Sequence, residues 1–377
     1  MPPPGRLIVH IASDDPEFDP DFISALQSEG FETTYIPIII TPNRKTDLTP
    51  LHHIADDLER GESYALIAFG SAATVCLDFY AEAQPHCAAL IPYYPTSITN
   101  PLVKFPTTLR TATHLASSQN FKPAWANCYT YEGVVPGFAE RDLEEYDRIA
   151  AELAWSRTLG VLRAAFRIEA DLERVWEEHQ GQVASRDAAA VVRGFVTDGE
   201  NPHINHVPTM TGGIGQGDLF VFYRDYFMPS TPPSTSMRLV SRTIGVDRVV
   251  DEMVLSFEHS QVVQWMLPDV PPTGKSVSIA IVAVVCIRGG KLCHENVYWD
   301  QASVLVQVGL LDPKLVPKGM KEQGLERLPA VGAEAARKVL DVRAEPSNGL
   351  LSSWKKRSRG DPGVQMPVRP KQAANVE

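Results

Sequence analysis

Apolar and polar positions alternate in a way that divides the chain into two differently built halves. In the first, short apolar runs are separated by stretches with helical spacing: LIVHIA (7–12), TYIPIII (34–40) and YALIAFG (64–70) read as strands. PDFISALQSEG (20–30) and LHHIADDLERG (51–61) read as amphipathic helices between them. Continuous apolar strands bounded by helices predict a parallel sheet covered on both faces. AALIPYYP, TTLRTATHLA and ANCYTYEG supply further strands. Residues 139–166 then predict one long helix, with Glu140, Asp142, Glu144 and Glu145 near its positive end.

The pattern changes after residue 166. Residues 168–195 predict more helix, and the Gly- and Pro-rich stretch 199–235 predicts loop. Three long strand-like stretches follow: SMRLVSRTIG, DRVVDEMVLSFEHSQVV and KSVSIAIVAVVCIRGGKLCHENVYWDQASVLVQ. The last breaks at Gly289-Gly290, a pair suited to a two-residue hairpin turn. Helices followed by an antiparallel sheet describe an α+β domain. The expected organisation is thus an α/β parallel-sheet domain over 1–166, an α+β domain over 167–315, and a largely disordered tail over 316–377. That tail holds one last short helix, near 333–342, and a basic cluster, SSWKKRSRG.

Composition narrows the functional classes. With 377 residues two cores are the default, and a net charge of -11 disfavours binding to nucleic acid or anionic membrane. No run approaches the roughly 20 apolar residues of a membrane span, and the N-terminal residues lack the form of a secretory signal. The five cysteines are scattered, with no CxxC pair and no zinc-like spacing with His. The expectation is a cytoplasmic protein without metal or organic cofactor.

The block AFGSAA (68–73), between a strand and a helix, sits where a nucleophile elbow would lie. The elbow needs small residues two before and two after the nucleophile. Only the register centred on Gly70 satisfies this, leaving Ser71 as a helix N-cap. YALIAFGSAATVCLDFY, AALIPYYP and YEGVVPGFAERD, with the helix that follows, together resemble the dienelactone hydrolase family of α/β hydrolases over about 165 residues. That resemblance implies a Cys in the place of Gly70, an acid after a later strand and a His before Gly137-Phe138. Here Pro136 precedes that pair, no Asp or Glu lies between Glu82 and Glu132, and no His lies between His114 and His179. A triad requires its three members within hydrogen-bond reach, so this domain is expected to be degenerate, either supporting the second domain or binding a ligand. Residual hydrolase chemistry through Ser71 or Cys76 is the alternative.

Residues 203–310 resemble the SnoaL-like branch of the NTF2-like fold, through VVDEMVLSFEH, LPDVPPTGKSVSIAIVAVV and RGGKLCHENVYWDQASVLVQVGLL. The resemblance implies a curved sheet closed by helices around a cone-shaped pocket, and a homodimer formed through the sheet. It also implies a polyketide cyclase-type activity, with an acid of the last strand as general acid or base, which places that role on Asp300. Alternation along HENVYWDQ puts His294, Asn296, Tyr298 and Asp300 on one face, expected to line the pocket. Asp251, Met253, Leu255, Phe257 and His259 share a face of the preceding strand, which is expected to meet the core. His203 and His206 lie between Pro202 and Pro208, which disfavours a helical metal pair; His206 remains a polar pocket residue. The glycines of GGIGQG (212–217) lack dinucleotide-binding spacing and read as a turn.

The expected activity is acid–base chemistry of the cyclase, isomerase or dehydratase kind on a small apolar metabolite, carried by Asp300, Tyr298, His206 and His259. The rival expectation is a ligand-binding or scaffold protein in which neither domain is catalytic.

Overall fold

The structure, a computed structural model, describes residues 5–39, 48–197, 202–351 and 354. Its first sheet is parallel, in the order β2 (Glu32–Pro37), β1 (Ile8–Ser13), β3 (Tyr64–Phe69), β4 (Cys87–Tyr93), β6 (Thr113–Ala116), β7 (Cys128–Tyr131). The short β5 (Arg110–Thr111) pairs beside β4. Every residue of β3 is buried, as expected for a central strand covered on both sides.

Alternate residues of the strands feed two cores. Val9, Ile11, Phe69, Ile91 and Tyr93 pack with Phe22 and Leu26 of α1 (Pro20–Ser28). Ile8, Ala12, Leu66, Ala68 and Leu90 pack on the other face with α3 (Gly70–Phe79). Asp19 caps α1 by accepting hydrogen bonds from the Asp21 and Phe22 amides. The helix predicted over 51–61 is reduced to one turn, α2 (Thr49–His52), of which Leu51 alone is buried.

The long helix starts later than its apolar spacing suggests. α4 spans Arg148–Phe166, capped by Asp147, whose side chain accepts from the Ala150 amide at 2.8 Å. Residues 139–147 form turns instead, so Glu140, Asp142, Glu144 and Glu145 precede the helix. One face of α4 (Ala150, Ala154, Trp155, Leu159, Leu162) fills the first core. α5 (Leu172–Ala184) and α6 (Ala188–Arg193) follow, each opened by an Asp cap.

The second sheet is mixed, in the order β10 (Ser236–Ile244), β11 (Arg248–Glu258), β12 (Ser276–Arg288), β13 (Lys291–Trp299), β8 (His203–His206), β9 (Thr211–Ile214). β8 runs parallel to β13 and antiparallel to β9. The predicted loop 199–235 is corrected here. Its described part carries β8, β9, α7 (Gly215–Val221), a wider π-helical turn (Phe222–Phe227) and α8 (Met228–Ser230). GGIGQG is accordingly the end of a strand and the start of a helix. Gly289 and Gly290, at φ 55° and 72°, form the β12–β13 hairpin turn, which requires positive φ at both positions.

α9 (Gln301–Val308) closes β13, and α10 (Lys318–Glu322) and α11 (Glu334–Leu340) lie within the stretch expected to be a tail. Most of the basic cluster SSWKKRSRG lies outside the described residues. Contacts divide the chain into two compact units, one of residues 1–229, 242–251 and 283–297, the other of 230–241, 252–282 and 298–377. No helix among the described residues is long and apolar enough to cross a membrane.

Candidate acid–base site

The register of β13 decides which of its side chains meet the interior. Parallel pairing sets Glu295 beside Ile204 and Val297 beside His206, so these four project to the same side of the sheet. Ile204, His206 and Val297 are all buried. His294 and Asn296 project to the other side, where His294 stacks on His203 at 5.0 Å and Asn296 accepts a hydrogen bond from Asn205 at 3.3 Å. The expectation that His294, Asn296, Tyr298 and Asp300 line the interior is therefore corrected. Buried Trp299 continues the Glu295–Val297 face, while Tyr298 is 45% exposed. Side-chain direction has period two along a strand, so one step of parity exchanges the whole set.

Asp300 has a structural task. It is the N-cap of α9: its carboxylate accepts from the Ala302 amide at 3.0 Å and from the Ser303 hydroxyl at 2.6 Å. His259 is fully buried and pins a loop. Its Nδ1 accepts from the Thr273 amide at 3.3 Å and lies 3.0 Å from the Thr273 hydroxyl, while its carbonyl accepts from the Thr273 and Gly274 amides. Burial lowers its pKa, favouring the neutral ring. His206 sits between Phe222 and Phe227, at ring distances of 5.6 and 5.8 Å, with Nδ1 3.1 Å from the Thr211 hydroxyl. Burial pushes its pKa down to about 3, so it is neutral at physiological pH. His206 belongs to the first unit, and His259, Tyr298 and Asp300 to the second.

The first unit gathers a different ionisable set around Glu295. From α5, Trp176 and His179 turn inward with their rings stacked at 5.4 Å. The Tyr223 hydroxyl lies 3.3 Å from His179 Nε2. Asp251, fully buried on β11, accepts a hydrogen bond from the Trp176 indole at 2.8 Å and two from Arg242. The Arg242 guanidinium also reaches Glu173 and Glu177 of α5, so this fork ties the helix to the sheet.

Glu295 differs from Asp251 in its surroundings. No described residue gives it a hydrogen bond, and burial, reinforced by the negative charge of Asp251, pushes its pKa up to about 7. Tyr223 is held well above its usual pKa by burial with Glu295 nearby, so its phenol stays protonated. His179 is lowered to about 4 by burial and stays neutral. The cluster therefore holds a carboxyl that can gain or lose a proton near neutral pH, beside a neutral phenol and a neutral imidazole. Such a group suits general acid–base catalysis, which is most efficient when the catalytic pKa lies near the working pH.

The sequence contained the signal for Glu295. It is a charged residue in the middle of the more apolar parity of β13, between Cys293 and Val297, whereas Lys291, on the same parity, sits exposed at the hairpin turn. Asp251, at the end of the apolar face of β11, is buried along with Met253, Leu255 and Phe257.

In the parallel-sheet region, His114 is a core residue. Its Nδ1 lies 2.8 Å from the Tyr131 hydroxyl and its Nε2 3.1 Å from that of Thr158, and burial lowers its pKa to about 3. Cys76 is fully buried, and burial raises its thiol pKa, which suppresses the reactive thiolate.

No family model and no curated protein matches this chain. Among solved structures, TsrD from Streptomyces laurentii aligns at 16% identity over 38% of this chain and 100% of its own, with a TM-score of 0.31. A protein described as a SnoaL-like polyketide cyclase from Jannaschia sp. CCS1 aligns at 15% identity over 38% of this chain and 99% of its own, with a TM-score of 0.30. An NTF2-like protein of unknown function from Burkholderia pseudomallei aligns at 12% identity over 37% of this chain and 98% of its own, with a TM-score of 0.29. The chain is thus similar to SnoaL-like and NTF2-like structures over little more than a third of its length.

Proposed function

We propose that the region built on the mixed sheet is a cofactor-independent acid–base enzyme of the cyclase, isomerase or dehydratase kind, acting on a small apolar metabolite. Glu295 moves the proton, and the Tyr223 phenol donates a hydrogen bond to the oxygen on which charge develops. The observation that carries this reading is a carboxyl with a pKa near 7 and no hydrogen-bond partner among the described residues, on the sheet face shared with His206. Asp251 orients Trp176 and Arg242, and Asp300 takes no part in the chemistry. The parallel-sheet region, in this reading, is a dienelactone hydrolase-like shell that has lost its triad, with Gly70 in the nucleophile's place.

The test is proton exchange in D2O, followed by NMR over a panel of small cyclic and acyclic β-diketones with the full chain. Glu295-dependent exchange at the carbon between the carbonyls, abolished in Glu295→Gln, supports the proposal. Exchange that survives the substitution overturns the role of Glu295.

A second reading, a non-catalytic ligand-binding protein, is favoured by one feature. Asp251 already accepts three hydrogen bonds and has little capacity left for a substrate. Tight binding of a diketone without any exchange would favour it.

A further inference from the structure

A second site lies at the carboxyl ends of the parallel strands, where open α/β sheets commonly bind ligands. Gly70, at the end of β3, and Tyr94, just past β4, line a cleft of about 570 Å³ together with Gln119, Phe121, Glu140 and Leu143. That volume lies in the usual range for small-molecule sites. Gly70 adopts φ +55°, and a side chain added there would meet the Asp14 carboxylate at 3.6 Å. Tyr94 has φ +33°, a backbone conformation that a bulky residue keeps only when its surroundings hold it. What holds it is its amide, which donates to the His114 carbonyl at 2.7 Å, and its phenol, which donates to Glu140.

We propose that this cleft binds a small organic amine in its cationic form, with the ammonium at Glu140 and the hydrocarbon part against Phe121 and Leu143. Three observations converge on that class. Among the described residues, the charged side chains lining the cleft are both carboxylates, Glu140 and Glu145, and no cation lines it. Glu140 is 92% buried (8% exposed), so its negative charge lacks solvent and is best compensated by a positive ligand. The cleft also has an apolar wall, which separates an organic amine from a bare metal ion.

The charged groups around Glu140 reinforce this preference. Asp15 and Asp19 act on it from the β1–α1 connection and Asp142 from its own segment; burial and these charges together raise its pKa to about 7, against the lowering effect of the Tyr94 phenol. Arg141, the neighbouring cation, donates its amide to Asp19 and directs its guanidinium towards Asp21 at 4.0 Å. An alkylamine stays protonated up to about pH 10, so Glu140 is the group that titrates in the working range. Amine affinity therefore falls about tenfold per pH unit below 7, as Glu140 must first lose its proton.

Isothermal titration of the full chain with benzylamine, benzyl alcohol and benzoate tests this. Benzylamine is expected to bind at least tenfold more tightly than the alcohol, with no binding of benzoate. Glu140→Gln is expected to weaken benzylamine at least tenfold and to remove the rise in affinity between pH 6 and 8. Leu143→Lys, at an exposed rim position that leaves the core intact, is expected to abolish amine binding even if the Glu140 variant fails to fold. Equal binding of amine and alcohol, no benzylamine binding at millimolar concentration, or full binding by Leu143→Lys would each overturn the proposal.

Discussion

Arg242 grips Asp251 through two parallel hydrogen bonds, Nε to Oδ1 at 2.7 Å and Nη2 to Oδ2 at 2.8 Å. Asp251 is fully buried and accepts the Trp176 indole as well. A carboxylate in such a place is tolerated because its charge is neutralised and its oxygens are filled. Removing the arginine leaves the charge stranded. Arg242→Met is expected to cost about 3–5 kcal/mol, read from urea unfolding followed by tryptophan fluorescence. A loss below about 1 kcal/mol, the range of an exposed ion pair, would show that the fork contributes little.

Glu295→Gln separates chemistry from folding. If Glu295 moves a proton, the substitution lowers turnover about 10²- to 10⁴-fold while substrate binding persists. Its effect on stability has the opposite sign to that of an ordinary salt-bridged carboxylate. Its folded pKa, about 7, lies above the unfolded value, so its contribution is fully present below about pH 4 and is lost as pH rises through 7. Glu295→Gln should therefore be more stable than the parent at pH 8, and this gain should shrink as pH falls and vanish below about pH 4. Paired denaturant titrations at the two pH values measure it.

Asp300 offers a clean contrast. Asp300→Ala removes the N-cap of α9 and is expected to cost about 1 kcal/mol, whereas Asp300→Asn retains a capping oxygen and costs a few tenths. Neither is expected to change turnover. A hundredfold loss in the Asn variant, with stability unchanged, would restore Asp300 as a catalytic acid.

Acid should weaken the protein through its buried histidines. His114 and His206 are held near pKa 3 and His10 and His179 near 4, all through burial. Each folded pKa lies below the unfolded value of about 6.5, so the stability each contributes is complete above pH 6.5 and declines as pH falls towards 3–4. Imidazole resonances followed by NMR should show the four rings neutral at pH 5. A ring titrating near 6.5 would reveal solvent access at that site.

Local pattern was enough to reveal the strands of the parallel sheet, β10 to β13 of the mixed sheet, the Gly289-Gly290 turn and the buried face of β11, but not β8 and β9. Each depends on near neighbours: apolar runs, turn residues, and which residue types occur in a given stretch. Two kinds of information were not local. The spacing of residues 139–166 suits a helix throughout, but Asp147 caps the chain at Arg148, and the segment before it folds so that Glu140 meets Tyr94. Strand alternation pairs His294 with Asn296 and Glu295 with Val297 whatever the fold. Which pair faces inward depends on β13 lying beside β8, with Glu295 level with Ile204 and Val297 with His206. Apolar spacing alone specifies most of the elements and the two alternating faces of each strand. Only tertiary pairing decided which neighbours each face meets, and it is desolvation of half-buried Glu295 beside Ile204, His206 and Val297, with Asp251 nearby, that raises its pKa towards neutral.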